Sequence, residues 1–135
     1  MAWFAAHAVC TVKFSSEEYA LPIPTWENIL MIEAESAEIA ITKAESIARS
    51  KYETGPGDEF TYNGRSAIME FTGIRKLVSG ELCPPGTDCH PDDGSEVTYA
   101  QYELDDLEDL RKLMAGLPVR LLFEGHCLEE NQESG

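Results

Sequence analysis

The stretch WFAAHAVCTVKF, residues 3–14, alternates between two kinds of side chain. Every second position is apolar, namely Phe4, Ala6, Ala8, Cys10, Val12 and Phe14. His7, Thr11 and Lys13 fall on the other side. Because the side chains of a β-strand point alternately to its two faces, the stretch predicts a first strand with one buried face. It also predicts that His7 and Cys10 lie on opposite faces.

A second apolar run, NILMIEA at residues 28–34, follows a connection that contains Pro22 and Pro24. Proline lacks the amide donor that a strand ladder uses, so these two residues interrupt the strand pattern. The succession of strand, long connection and strand predicts a β-hairpin.

An amphipathic helix is predicted after Ser36, which is a good N-cap residue. Apolar residues then recur at helical spacing, at Ala37, Ala40, Ile41, Ala44, Ile47, Ala48 and Tyr52. The stretch TGPGDE at residues 54–59 ends the helix, because glycine and proline disfavour its continuation. We expect the face that packs on the sheet to contain Ile41, Ala44, Ile47 and Ala48.

Two further strands are predicted beyond the helix. SAIMEFTGIRKLV at residues 66–78 reads as a long strand with Gly73 as a bulge, and EVTYAQYEL at residues 96–104 alternates again. The loop ELCPPGTDCHPDDG, residues 81–94, lies between them. We expect this loop to be an exposed hairpin connection between the two strands.

A short helix is predicted after Asp105 or Asp106, either of which is a suitable N-cap. Its inward side carries Leu107, Leu110 and Leu113 or Met114, and Gly116 with Pro118 ends it. VRLLF at residues 119–123 predicts a last strand or an apolar strap.

The order of these elements predicts an α+β fold. An antiparallel sheet of about four or five strands packs against one main helix, with a short C-terminal helix, as a two-layer sandwich. The chain of 135 residues has the length of one domain, which we assign to residues 1–124. Residues 125–135 contain few side chains to bury and predict a flexible acidic tail.

Four stretches of the sequence are considered together: Trp3 with Phe4, IEAESAEIAITKAESIA at 32–48, FTGIRKLV at 71–78 and SEVTYAQYEL at 95–104. In this combination the chain resembles a small bacterial family of domains of unknown function. Its members open a strand with W-[FY], end another strand in an A-E-S/A step and continue into an EEAxxKAE helix. The resemblance covers residues 3–104 and implies an α+β fold, while the family has no assigned activity to carry over.

The charge of the chain is strongly acidic. It contains 25 Asp and Glu against 10 Lys and Arg, a formal net charge of -15 at pH 7. Such a charge repels nucleic acid and anionic lipid, so we expect neither as a partner. A basic protein surface is the partner that the charge favours.

The sequence also predicts where the protein resides. It has no run of ~20 apolar residues to cross a bilayer. Its N-terminus lacks the basic segment of a signal peptide, and His7 interrupts the apolar run there. We therefore expect no membrane contact and a cytoplasmic location, with the cysteines as reduced thiols.

The loop at residues 81–94 holds candidate metal ligands. Cys83, Cys89 and His90 supply three zinc ligands, and His126 or Cys127 is available as a fourth. Their spacing is poor, because structural zinc sites pair cysteines about two to four residues apart. A disulfide between Cys83 and Cys89 is a second alternative. We favour a plain proline-rich loop without metal, and we expect no cofactor.

No catalytic constellation can be assembled from these motifs. A nucleophile requires an adjacent base, yet His7 is predicted on the face opposite Cys10. Pro56 removes a backbone donor from the one glycine-rich loop that resembles a phosphate cradle. The sequence therefore predicts no catalytic residues and a protein that is not an enzyme.

The leading hypothesis is a non-enzymatic acidic protein-binding module, such as an inhibitor, an immunity protein or a nucleic-acid mimic. Its binding residues are five acids in a short segment: Glu103, Asp105, Asp106, Glu108 and Asp109. Helix capping is an equally good explanation of these acids, because carboxylates are favourable at a helix start. Two other functions stay open: a small-ligand or zinc-binding domain that uses residues 83–90, and a structural subunit that self-associates through a strand edge.

Overall fold

The computed structural model contains one antiparallel sheet and two helices, and it describes residues 2–79, 93–94, 96–123 and 126–127. The elements in chain order are β1 (Ala2–Phe14), β2 (Ile23–Ala34), α1 (Ala37–Tyr52), β3 (Phe60–Tyr62), β4 (Arg65–Ser79), β5 (Glu96–Leu104), α2 (Leu107–Ala115), β6 (Leu122–Phe123) and β7 (His126–Cys127). The predicted α+β arrangement of a curled antiparallel sheet packed against a main helix is confirmed.

Strand β1 occupies the centre of the sheet, whose strand order is β3-β4-β1-β2-β5-β6-β7. It pairs with β2 from Ala2 to Thr11 and with β4 from Phe4 to Phe14. The predicted hairpin of β1 and β2 is thus confirmed. Strand β2 begins at Ile23, five residues before the predicted start, and Pro24 is tolerated because it lies beyond the stretch that pairs with β1.

The predicted hairpin between β4 and β5 is wrong. Strand β4 pairs with β1 and β3, and β5 pairs with β2 and β6, so β1 and β2 separate them. An alternating pattern reports which face of a strand is buried, and it does not report which strand lies alongside. In the connection between β4 and β5, Asp93 contacts the end of β2. Its Oδ1 accepts a hydrogen bond from the Glu33 amide at 2.9 Å. Residues 80–92 lie outside the described part of the chain.

Helix α1 packs on one face of the sheet through a stripe of small residues. Its N-cap is Ser36, as predicted, and the Ser36 hydroxyl accepts from the Ile39 amide at 3.2 Å. The buried stripe consists of Ala40, Ala44 and Ala48. Ile47 is half-buried at its margin, but Ile41 is 37% exposed, so its predicted place on the packing face is wrong. Alanine at three successive turns brings the helix close to the strands, which leaves no space between them for a large side chain such as Ile41.

Helix α2 packs on the opposite face of the sheet. Asp106, one of the two predicted candidates, is its N-cap, and Gly116, at φ 77°, is its C-cap. Leu110 and Leu113 are buried against Val9 and against three residues of β2 and β5, namely Ile23, Tyr102 and Leu104. The two helices therefore cover different faces of the central strands.

Gly73 marks the point where α2 reaches β4. The register between β1 and β4 shifts on either side of it, which confirms the predicted bulge. Its φ of 152° suits glycine, and a Cβ there would lie 3.1 Å from the Cε of Met114. The absence of a side chain at this position allows α2 to approach the sheet.

The C-terminal part is shorter in regular structure than predicted. Only Leu122 and Phe123 of the stretch 119–123 form a strand, and they pair with Cys127 and His126. His126 and Cys127 lie within residues 125–135, the segment predicted as a tail. Residues 124–125 and 128–135 are outside the described part of the chain. Neither described helix has the length and apolar character needed to span a bilayer.

The buried stripe of α1 generates a stability prediction. Ala44→Asp places a charge without a partner between helix and sheet and should lower the free energy of unfolding by about 3–5 kcal/mol. Ile41→Asp introduces the same side chain at an exposed position of the same helix and should cost less than about 1 kcal/mol. Urea denaturation of both variants measures the difference. Equal losses would contradict the assignment of the alanine stripe as the packing face.

Candidate functional site

The five predicted acids lie together where β5 ends and α2 begins. Glu103 is half-buried in β5, opposite Pro24 on one side and Leu122 on the other. Asp105 and Asp106 are exposed in the turn, and Glu108 and Asp109 stand in the first turn of α2. We call this group of five the acidic end.

One residue of the acidic end caps helix α2. Asp106 is the N-cap, and its Oδ1 accepts from the Asp109 amide at 3.0 Å. Glu108 is 3.8 Å from Arg111, but both side chains are about two-thirds exposed, so water screens the pair. Within the described chain, Glu103 and Asp105 have no ion pair. Capping therefore explains Asp106 directly and leaves the charges of Glu103, Asp105 and Glu108 largely uncompensated.

An exposed apolar side chain borders the acidic end. Ile23 pairs with Leu104, so the residues before β2 leave the sheet at the same end as Asp105 and Asp106. Among these residues, Leu21 is 65% exposed. This end of the sheet therefore presents an exposed apolar side chain together with carboxylates of which Glu103 and Asp105 form no ion pair among the described residues.

A buried carboxylate lies behind the acidic end, on the face of the sheet that α2 covers. Glu27 in β2 is only 7% exposed. It accepts hydrogen bonds from His7 Nδ1 at 2.6 Å, Arg75 Nη2 at 2.6 Å and Tyr102 Oη at 2.7 Å. The three donors come from β1, β4 and β5, so one side chain links four strands.

The donors keep Glu27 ionised. Burial by itself would raise the pKa of Glu27, but the hydrogen bonds from Arg75, Tyr102 and His7 outweigh it, and the pKa lies below its ordinary value. Burial and the bond to Glu27 raise the pKa of Tyr102, so its hydroxyl remains a donor. Arg75 Nε is buried without a hydrogen-bond acceptor in the described structure, which reduces the stability that the cluster contributes to the fold.

This network gives the acidic end a fixed position. Tyr102 precedes Glu103 in β5, so its bond to Glu27 holds the end of that strand. Leu110 and Leu113 hold α2 on the same face of the sheet. A binding surface that is ordered before its partner arrives loses less conformational freedom on binding.

The chemistry available to His7 is limited by its surroundings. Because a carboxylate only accepts hydrogen bonds, Nδ1 of His7 carries the proton that it shares with Glu27. In the described part of the chain, no hydroxyl or thiol is hydrogen-bonded to His7. Cys10 lies on the opposite face, as the alternation in β1 predicts, and burial raises the pKa of its thiol to about 12. Cys10 is therefore a protonated core residue.

The predicted zinc ligands cannot be assembled from the described residues. Cys83, Cys89 and His90 lie outside them, and His126 and Cys127 are placed only as backbone in β7. The part of the chain that is described contains no group of three His, Cys, Asp or Glu side chains arranged to hold a metal. The zinc, disulfide and metal-free alternatives for the loop remain predictions.

Glu27 is the central residue that sequence reasoning missed. A strand start at residue 28 left it in the connection between β1 and β2. The sequence signal that could have identified Glu27 is its alternation with Thr25 and Ile29, which places the three residues on one face of β2. An acidic residue on a buried strand face requires hydrogen-bond donors from other strands.

Comparisons with known proteins identify no relative. No protein-family model, no curated protein and no solved structure matches the chain. The resemblance to the bacterial family of domains of unknown function therefore remains a prediction. Function is inferred from the chain's own charges, contacts and surfaces.

Removal of the Glu27 charge should destabilise the fold in a pH-dependent way. Glu27→Gln leaves Arg75 without its counter-ion and should lower the free energy of unfolding at pH 7 by about 2–4 kcal/mol. The folded pKa of Glu27 is below the ordinary value of 4.5, so its contribution is complete above that value and is lost as the pH falls through the folded pKa. The stability difference between wild type and variant should therefore shrink below pH 4.5.

Urea denaturation at a series of pH values measures this difference. Glu45→Gln, at an exposed position of α1, makes the same chemical change and should have little effect at any pH. A difference between wild type and Glu27→Gln that stays constant down to pH 3 would show that Glu27 is not held ionised by its donors.

Proposed function

We propose that the protein is a non-enzymatic binding module that places its acidic end on a basic surface of another protein. Inhibitors, immunity proteins and nucleic-acid mimics act in this way. The observation that carries the proposal is the geometry of the acidic end. Glu103 and Asp105 form no ion pair among the described residues, exposed Leu21 lies at the same end of the sheet, and the Glu27 network and α2 hold the segment. The proposed location is the cytoplasm.

The distribution of charge supports this proposal. Six of the ten Lys and Arg side chains already form ion pairs with acids of the same chain, namely Lys13, Lys43, Arg49, Arg65, Arg75 and Arg111. The 25 acidic side chains far outnumber these ion pairs, so an excess of negative charge remains. A field of this sign attracts basic proteins and accelerates their association, and it repels nucleic acid and anionic membranes.

Neutralising the acidic end should abolish partner binding without unfolding the protein. The variant E103Q/D105N/E108Q keeps Asp106 and Asp109, so the cap of α2 survives. The matched control E45Q/D58N/E59Q removes the same number of charges at exposed positions elsewhere. Proteins retained from a cell extract on immobilised wild type at low salt should be basic. Their dissociation constants should rise about tenfold or more for the first variant and change little for the control.

Salt dependence separates docking at the acidic end from general attraction. Binding to wild type should weaken steeply as salt is added, and the slope should be smaller for E103Q/D105N/E108Q. Equal losses for the two triple variants would show that only net charge matters and would contradict a defined docking surface.

A second function, self-association, is favoured by the outer edge of β5. In the described structure this edge pairs only at Glu103, with Leu122 of β6. Val97 and Tyr99 near this edge are both more than half exposed. An unpaired strand edge with apolar side chains is a template for another strand. If the chain dimerises through it, light scattering on a sizing column should show a dimer that Tyr99→Lys dissociates, while E45Q/D58N/E59Q leaves it intact.

A further inference from the structure

A cavity of about 240 Å³ lies beside the last turn of α1, on the face of the sheet opposite Glu27. Six of the described residues line it: Cys10, Trp26, Asn28, Lys51, Tyr52 and Met69. None of them belongs to the acidic end or to the Glu27 network. Pockets for drug-sized ligands are larger, about 300–1,000 Å³, so the volume suits a molecule with a single ring.

The walls of the cavity are flat and apolar. Trp26 and Met69 are half-buried side chains of β2 and β4, and Tyr52 is the last residue of α1. Indole and phenol rings offer π-faces, and a thioether adapts its shape to a ring edge. These groups favour an aromatic or heteroaromatic ring.

The floor of the cavity is polar and uncharged. Asn28 is 6% exposed and Cys10 is 1% exposed. Burial raises the pKa of the Cys10 thiol, and the neighbouring Asn28 side chain partly opposes this effect. An amide has two donors and an acceptor oxygen with two lone pairs, whereas a thiol is a weak partner. Among the described residues, the Cys10 thiol is the polar side-chain group that interacts with the Asn28 amide. Most of the hydrogen-bonding capacity of this buried amide is therefore directed at the cavity, and leaving it unused is costly.

The charges around the cavity select against charged ligands. Glu53 and Glu96 are the charged groups that raise the pKa of Cys10, so the field at the floor is negative and opposes an anion. Glu53 is paired with Arg49 at 3.2 Å, and Glu96 accepts from the Tyr52 hydroxyl. Both carboxylates are thus engaged and leave no free counter-ion for a buried cation. Lys51 is exposed at the mouth of the cavity.

We propose that this cavity binds a small uncharged ring compound that carries a carboxamide or an equivalent donor and acceptor edge. The ring lies against Trp26, Tyr52 and Met69. The edge forms paired hydrogen bonds with the amide of Asn28. The site is separate from the acidic end, because the two have no residue in common, so ligand and protein partner do not compete for the same residues.

An isosteric series of probes tests the ligand class. Benzamide, benzoate and benzamidine share one ring and nearly one shape, and at neutral pH they carry charges of about 0, -1 and +1. Titrations followed by calorimetry and by shifts of the Trp26 indole and Asn28 amide signals in NMR spectra measure binding. Benzamide should bind about tenfold or more tightly than either charged probe. Absence of benzamide binding, or equal binding of all three probes, would overturn the proposal.

Variants locate the site. Asn28→Leu replaces the amide by an apolar side chain of similar size and should weaken benzamide binding about tenfold or more. Glu45→Gln, at an exposed position of α1, should leave benzamide binding unchanged, as should E103Q/D105N/E108Q. If Asn28→Leu does not fold, as judged by circular dichroism, Met69→Trp fills the cavity from its half-buried wall and should abolish binding. Benzamide binding that survives both Asn28→Leu and Met69→Trp would place it elsewhere and overturn the assignment.

Discussion

The burial of β1 on both faces is the constraint on which the rest of the structure depends. Ala6 and Ala8 on one face and Val9 and Thr11 on the other are completely inaccessible to solvent. A central strand of this kind requires a neighbour along each edge and a covering layer over each face. Strands β2 and β4 supply the neighbours, α1 covers the first face, and α2 covers part of the second.

The two covered faces are stabilised by different interactions. The α1 face is almost entirely apolar, and its alanine stripe allows close packing of helix and sheet. The α2 face contains a carboxylate, and a buried carboxylate is tolerated only with donors that satisfy it. Glu27 therefore depends on His7, Arg75 and Tyr102 being in place together. A buried charge of this type adds little net stability compared with an apolar core, but it disfavours alternative strand arrangements, because those would separate the charge from its donors.

The proposed binding surfaces follow from this division. The acidic end lies where β5 meets α2, and Tyr102 of the Glu27 network and the leucines of α2 hold its backbone. The cavity belongs to the α1 face and occurs where that helix ends at Tyr52. The proposed docking surface and the proposed ligand site thus share one sheet as a support, and neither requires a residue of the other.

The sequence by itself determined the features that depend on neighbouring residues. The alternation of residues 3–14, the caps at Ser36, Asp106 and Gly116, and the bounds of β5 were all predictable, because each reflects local hydrogen bonding or the burial of one face. The acidic end was visible for the same reason, since its five residues are close together in the chain.

Only the tertiary structure decided which strands lie side by side and which side chains meet. Side-chain alternation is the same whichever neighbour a strand has, so the sequence pattern placed β4 beside β5 although β1 and β2 lie between them. The partners of Glu27 are 20, 48 and 75 residues away along the chain, and no local pattern connects them. The cavity likewise combines residues of β1, β2, β4 and α1. Such sites come into existence only when long-range packing brings distant segments together.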